Sequence, residues 1–174
     1  MSQFGFSLLA MQIADHLASE WEWMSEEKQM VGDTKIEQLF FAALTKRCEI
    51  AAVEYSDLLL VYDQEHLTKS QNEAHNAMLP RLIAWPQAQI DNRRVDFLFS
   101  SYHYSESKWR YLLVECDGHD FHERTKEQAS RDKSKDRTAV LAGYDCFRFT
   151  GSEIWRDPWG CAKQVTDWSA KGLG

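Results

Sequence analysis

Apolar residues recur every three or four positions at Phe6, Leu9, Ile13, Leu17, Trp21 and Met24, the stripe of an amphipathic helix over residues 4–30. Gly32-Asp33 breaks that pattern. Thr34 then caps a second helix, TKIEQLFFAALTKRCE, and Glu37 stands three residues on as its capping-box partner. Residues 57–62 (DLLLVY) read as a short strand or a further helical piece, and residues 63–80 as a polar loop or surface helix. From Leu82 the period changes. LIAWPQAQI alternates as a strand, Asp91-Asn92 makes a hairpin-type turn, and RRVDFLFSSY is the second strand. After the polar SESK comes WRYLLVECDG, whose LLV core is apolar on both faces, as in a central strand. The pattern then predicts a helix from about His122 to Ala142 closed by Gly143, a strand YDCFRFT, and a last helix over 158–170 that opens on proline. Helix, hairpin, strand, helix, strand, helix is the order of an α/β sandwich with a mixed sheet.

The 174 residues suffice for one domain with a sizeable core, and 44% hydrophobic residues with seven Trp, six Tyr and nine Phe mark a folded chain. No run of eighteen apolar residues occurs, so no membrane span is expected. The N-terminus lacks a basic start and a small-residue cleavage site, and reads as helix rather than signal peptide. Cys48, Cys116, Cys146 and Cys161 are scattered and form no CxxC pattern, which fits a reducing cytoplasm. The net charge of −7 counts against coating nucleic acid by bulk charge, but allows a local basic surface or an acidic site neutralised by metal.

The chemistry concentrates in YLLVECDGHDFHERTKEQASRD, Tyr111 to Asp132. Residues two apart on a strand share a face, so Glu115 and Asp117 project together. Asp96 lies inside the apolar strand Val95-Asp96-Phe97-Leu98-Phe99, where an acid is costly unless neutralised. If the two strands are neighbours, the three carboxylates can converge, and a hard divalent cation, Mg²⁺ or Mn²⁺, relieves their repulsion. The plainer alternative is that the acids cap turns: Asp117-Gly118 is a common turn pair, though Asp96 is at no turn.

RVDFLF followed by LLVECDGHDFH resembles the PD-(D/E)xK nuclease superfamily, the restriction-endonuclease-like fold. The nearer likeness is to its small E-x-D-G-x-x-H branch, related to very-short-patch-repair endonucleases and to a bacterial domain of unknown function. RDKSKDRTAVLAGYDCFRFTGSEIWRDP looks like the same branch, and the likeness covers about residues 34–168. It implies an αβββαβ core (34–174) preceded by an extra N-terminal helical segment (1–33). It implies Mg²⁺ or Mn²⁺ held by Asp96 and Glu115, with Glu37 completing the site, and water-driven hydrolysis of DNA phosphodiester bonds. The motif's lysine position holds Asp117 here. Three readings follow: Asp117 is a further metal ligand, the positive charge comes from Lys126 or Lys133, or the site is degenerate and only binds.

His122, where strand enters helix, is either a general acid or phosphate ligand, or a group that bonds the helix start; His119 reads as a solvated loop residue. The run ERTKEQASRDKSKDR is either a solvated face or a surface on which Arg124, Lys126, Arg131 and Lys133 hold DNA phosphates. Arg93 and Arg94 add positive charge beside Asp96. Gln87 and Gln89 alternate onto one face, a polar outer face unless Gln89 reaches the site edge. The expected function is thus a metal-dependent deoxyribonuclease with DNA as partner. The alternative is a non-catalytic module of the same fold that binds nucleic acid or a protein, and the 1–33 stripe can dock on the core, a second subunit or another protein.

Overall fold

The computed structural model of the chain describes residues 32–51, 58–61, 63–77, 82–90, 93–103, 105–118 and 138–170. Their order is α1 (Lys35–Ala51), β1 (Leu58–Leu60), α2 (Gln64–Ala77), β2 (Leu82–Ile90), β3 (Arg93–His103), β4 (Lys108–Asp117), β5 (Tyr144–Thr150), α3 (Gly151–Arg156) and α4 (Pro158–Ala170). The five strands form one sheet in the order β1-β2-β3-β4-β5. β1 runs parallel to β2, β3 is antiparallel to both β2 and β4, and β5 is parallel to β4. The result is a mixed α/β domain.

Each face of the sheet buries its own apolar set, as expected for a central sheet covered on both sides. On one face Phe40, Phe41 and Leu44 of α1 and Cys161, Val165 and Trp168 of α4 close over Leu82, Ala84, Phe97, Phe99, Leu112, Val114 and Phe149. The rings of Phe40, Phe41, Phe97 and Phe99 lie 5.5–6.5 Å apart, in tilted, stacked and edge contacts. On the other face Ile83, Trp85, Val95, Leu98 and Leu113 gather with Leu67 of α2 and with Ala139.

The four long strands match the alternation read from the sequence to within a residue or two. DLLLVY supplies the three-residue β1, and the polar stretch after it is the helix α2, held to the sheet by Leu67. Residues 138–141 are helical and end at Gly143, whose φ of +89° is the left-handed turn that glycine takes at such an end. The rest of the helix expected from His122, the Asp91-Asn92 turn and the 4–30 helix lie outside the described residues. A short helix unforeseen in the sequence, α3, follows β5 directly: Thr150 accepts from the Glu153 backbone while the Glu153 carboxylate accepts from the Thr150 N–H, a complete capping box. Gly151 is buried there, and a side chain on it would press on the Asp117 carbonyl oxygen at 3.2 Å. The end of β4 and the start of α3 are therefore fitted to one another.

Candidate active site

One end of the sheet collects the start of β3, the ends of β2, β4 and β5, and the first turn of α1. Glu37, Asp96, Glu115 and Asp117 all lie there. Glu37 is buried, at 4% exposure, and its carboxylate is fully engaged. It accepts from the Asp33 N–H at 2.8 Å, the Thr34 hydroxyl at 2.7 Å and the Gln87 amide Nε2 at 2.7 Å. The Thr34 hydroxyl in turn accepts from the Glu37 N–H at 3.3 Å, so the expected cap forms. Gly32 makes this possible, because a Cβ there would stand 2.7 Å from the Glu37 Cβ, and its φ of +146° suits glycine alone.

Asp96 sits where β3 and β4 part. Their pairing ends at Phe97 opposite Val114. Beyond it the Asp96 carboxylate replaces a ladder partner and accepts the Cys116 N–H at 2.7 Å. Burial pushes its carboxyl up to about 7 from the ordinary 3.8, and the charges of Glu37, Glu115 and Asp117 push the same way, against the lowering pull of the Cys116 bond. Asp96 therefore feels all three of the other carboxylates.

Glu115 and Asp117 share a face, as their spacing requires: Leu112, Val114 and Cys116 belong to the α1 side of the sheet, and Leu113 to the other. Each is met by an arginine. Arg93 of β3 pairs with Glu115, and Arg148 of β5 donates to both Asp117 oxygens at 3.0 and 3.2 Å. Arg94, exposed, pairs with Asp33 at 2.7 Å on the rim. The cations that the strands bring to these acids are thus arginines of β3 and β5. His122, Arg124, Lys126, Arg131 and Lys133 lie outside the described residues.

Gln87 was not legible as a site residue. Its φ of +51° is left-handed, rare for a residue with a side chain. Leu82 and Ala84 face one cluster and Ile83 and Trp85 the other, yet Ala88 joins Ile83 and Trp85. The alternation slips by one at Gln87, which turns inward to Glu37 instead of lying on a polar outer face; Gln89 remains exposed. Opposite it on β3 the same slip occurs between Val95 and Phe97, at Asp96. Pro86 was the available signal, since proline inside a central strand marks an interruption of the ladder.

Among the described residues no group of three or more His, Cys, Asp or Glu gathers as a metal-holding cluster. The donor chemistry still suits a hard cation. Asp96 is a raised carboxyl among carboxylates, and the Gln87 Oε1 is a buried oxygen without a hydrogen-bond partner among the described residues. A cation taken up at Glu115 would compete with Arg93. Burial holds the Cys48 and Cys161 thiols up at about 12 and about 11, and Cys116 well above its usual value, so these three offer no ready thiolate. No helix among the described residues is long and apolar enough to cross a membrane.

Comparison with known proteins yields no matching family model, no matching curated protein and no matching solved structure.

Proposed function

We propose that the chain is a metal-dependent phosphodiesterase acting on DNA, built on a restriction-endonuclease-like αβββαβ core made of α1, β2, β3, β4, the helix ending at residue 141, and β5. The observation that carries this reading is Asp96. A carboxylate placed in the gap between two strands, kept half-buried and near enough to three more acids to feel their charge, is a costly arrangement that packing alone does not require. Asp96, in the strand gap, and Glu115, on the face away from α1, are the residues that would hold Mg²⁺ or Mn²⁺, with Asp117 beside Glu115 and Glu37 on the α1 side. Such a cation neutralises phosphate oxygens and lowers the pKa of an attacking water. Arg93 and Arg148 hold Glu115 and Asp117 in place, and their guanidinium groups suit phosphate oxygens by the same fork geometry. Arg148 thereby brings to Asp117 the positive charge that the nuclease family places on a lysine.

A second reading has its own support. The pairs Arg93–Glu115 and Arg148–Asp117 already neutralise the acids, as a site that binds without cutting would. The two are separated by incubating supercoiled plasmid with Mg²⁺ or Mn²⁺ beside Asp96→Ala and Glu115→Ala. The nuclease reading expects cleavage that chelator abolishes and that each substitution lowers by at least about 10²-fold. Salt-sensitive DNA retention without cleavage by the parent protein would leave the binding module; cleavage persisting in both variants would remove these residues from the chemistry.

A further inference from the structure

The end of the sheet away from the acids is tied down by the last turn of α4. Ser169 shares a buried hydroxyl–hydroxyl bond with Ser101 of β3 at 2.9 Å, and the Trp168 indole donates to the Asp145 carboxylate of β5 at 2.8 Å. His103, at the end of β3, sets its ring against that of Trp168, with centroids 5.6 Å apart. It is only 4% exposed, and its Nε2 is buried without a hydrogen-bond partner among the described residues. The charges that reach it come from Arg110 and Lys108 of β4, Glu106 of the β3–β4 turn and Asp145 of β5, while α4 meets it with the uncharged Trp168. Both carboxylates are already engaged with cations: Glu106 with Lys108 at 2.6 Å and Arg110 at 3.2 Å, and Asp145 with Arg110 at 2.7 Å. An imidazolium carries a hydrogen on each ring nitrogen, so from either neutral tautomer the charged ring would hold a buried Nε2–H without an acceptor. Burial, and after it Arg110, lowers the affinity of the ring for a proton below the ordinary value, against the opposite pull of Glu106 and Asp145.

We propose that His103 is an acid-sensitive latch on α4: while it is neutral the last turn lies against β3 and β5, and when it takes a proton that turn, with Trp168 and Ser169, comes away from the sheet. In the open turn water satisfies both ring N–H groups and solvates the charge. The open turn binds the proton near the ordinary 6.5 and the closed turn only further down, so closure is full above 6.5 and weakens as pH falls below it. The latch is independent of what the acids at the other end of the sheet hold.

Hydrogen exchange of the full-length protein, followed by NMR and corrected for the intrinsic rate at each pH, tests the latch. In the parent, the backbone amides of residues 166–170 are expected to lose about tenfold in protection between pH 7 and pH 5, as one proton is taken up on opening. The amides of Phe97 and Phe99, in the core of β3, should remain the more protected at pH 5. His103→Phe keeps a ring against Trp168 and His103→Gln keeps a polar group, and neither can take the charge. In either variant the loss between the two pH values is expected to shrink to within about twofold, an effect on the pH profile that a purely packing role would not produce. An equal loss in the parent and in a folded variant overturns the latch. So does a parent whose last turn keeps its protection at pH 5, or one whose core amides loosen to the same level as the last turn.

Discussion

Asp96 holds its proton across a range in which an ordinary aspartate has lost it, and this sets a sign for stability against pH. The folded carboxyl titrates at about 7 and the unfolded one near 3.8. Below pH 4 both states are protonated and the group costs nothing. As pH rises through 4 toward 7 the unfolded chain releases the proton first, so stability falls across that window. Asp96→Asn keeps an oxygen for the Cys116 N–H and removes the charge. It is expected to stabilise the protein at pH 8 by on the order of 1–3 kcal/mol, less than the full shift implies because the group is partly solvated, and by little at pH 4. Urea melts at the two pH values measure this, and equal effects at both would contradict it. The E-x-D spacing and the acid within an apolar strand were legible in the sequence because alternation and desolvation are local rules. Gln87 was not, because a left-handed residue inside a strand follows no alternation. The partnerships of Arg93 and Arg148 depend on which strands lie side by side.

At the scale of elements, β2 to β5 follow from alternating apolar residues, and α1 from its Thr34 cap and the Phe40, Phe41 and Leu44 stripe. α2 was ambiguous because a mostly polar helix has little periodic signal; among the described residues Leu67 and Gln71, whose amide donates to the Tyr111 hydroxyl at 3.3 Å, are its buried anchors. α3 was missed because its six residues are too few to show an apolar period, although Thr150 and Glu153 carry the spacing of a capping box. The junction before α1 shows how tightly element and site are joined. Gly32→Ala forces a methyl group to within 2.7 Å of the Glu37 Cβ in a conformation unfavourable to alanine. The expected cost is about 1–3 kcal/mol. Because the Asp33 N–H bond to Glu37 is displaced with it, Mn²⁺ affinity should fall as well. A thermal melt and an Mn²⁺ titration on the same variant check both, and an unchanged melting temperature would mean that the 32–37 turn has room to spare.

The molecule as a whole places its chemistry at one end of a sheet whose two faces are closed by apolar clusters, so rigid strands, not loops, carry Asp96, Glu115, Asp117, Arg93 and Arg148. With a net charge of −7 the chain would gain little from long-range attraction to DNA, so on the proposed reading affinity would come from local arginines and from a cation at the acids. Competition between that cation and the resident arginine is the pivot of the account. It is tested most directly by a crystal structure of the protein soaked in Mn²⁺, with an anomalous difference map. The account predicts a peak bounded by Asp96 and Glu115, with Arg93 withdrawn from Glu115. A map empty at that position, with the Arg93–Glu115 pair intact at saturating Mn²⁺, would contradict it.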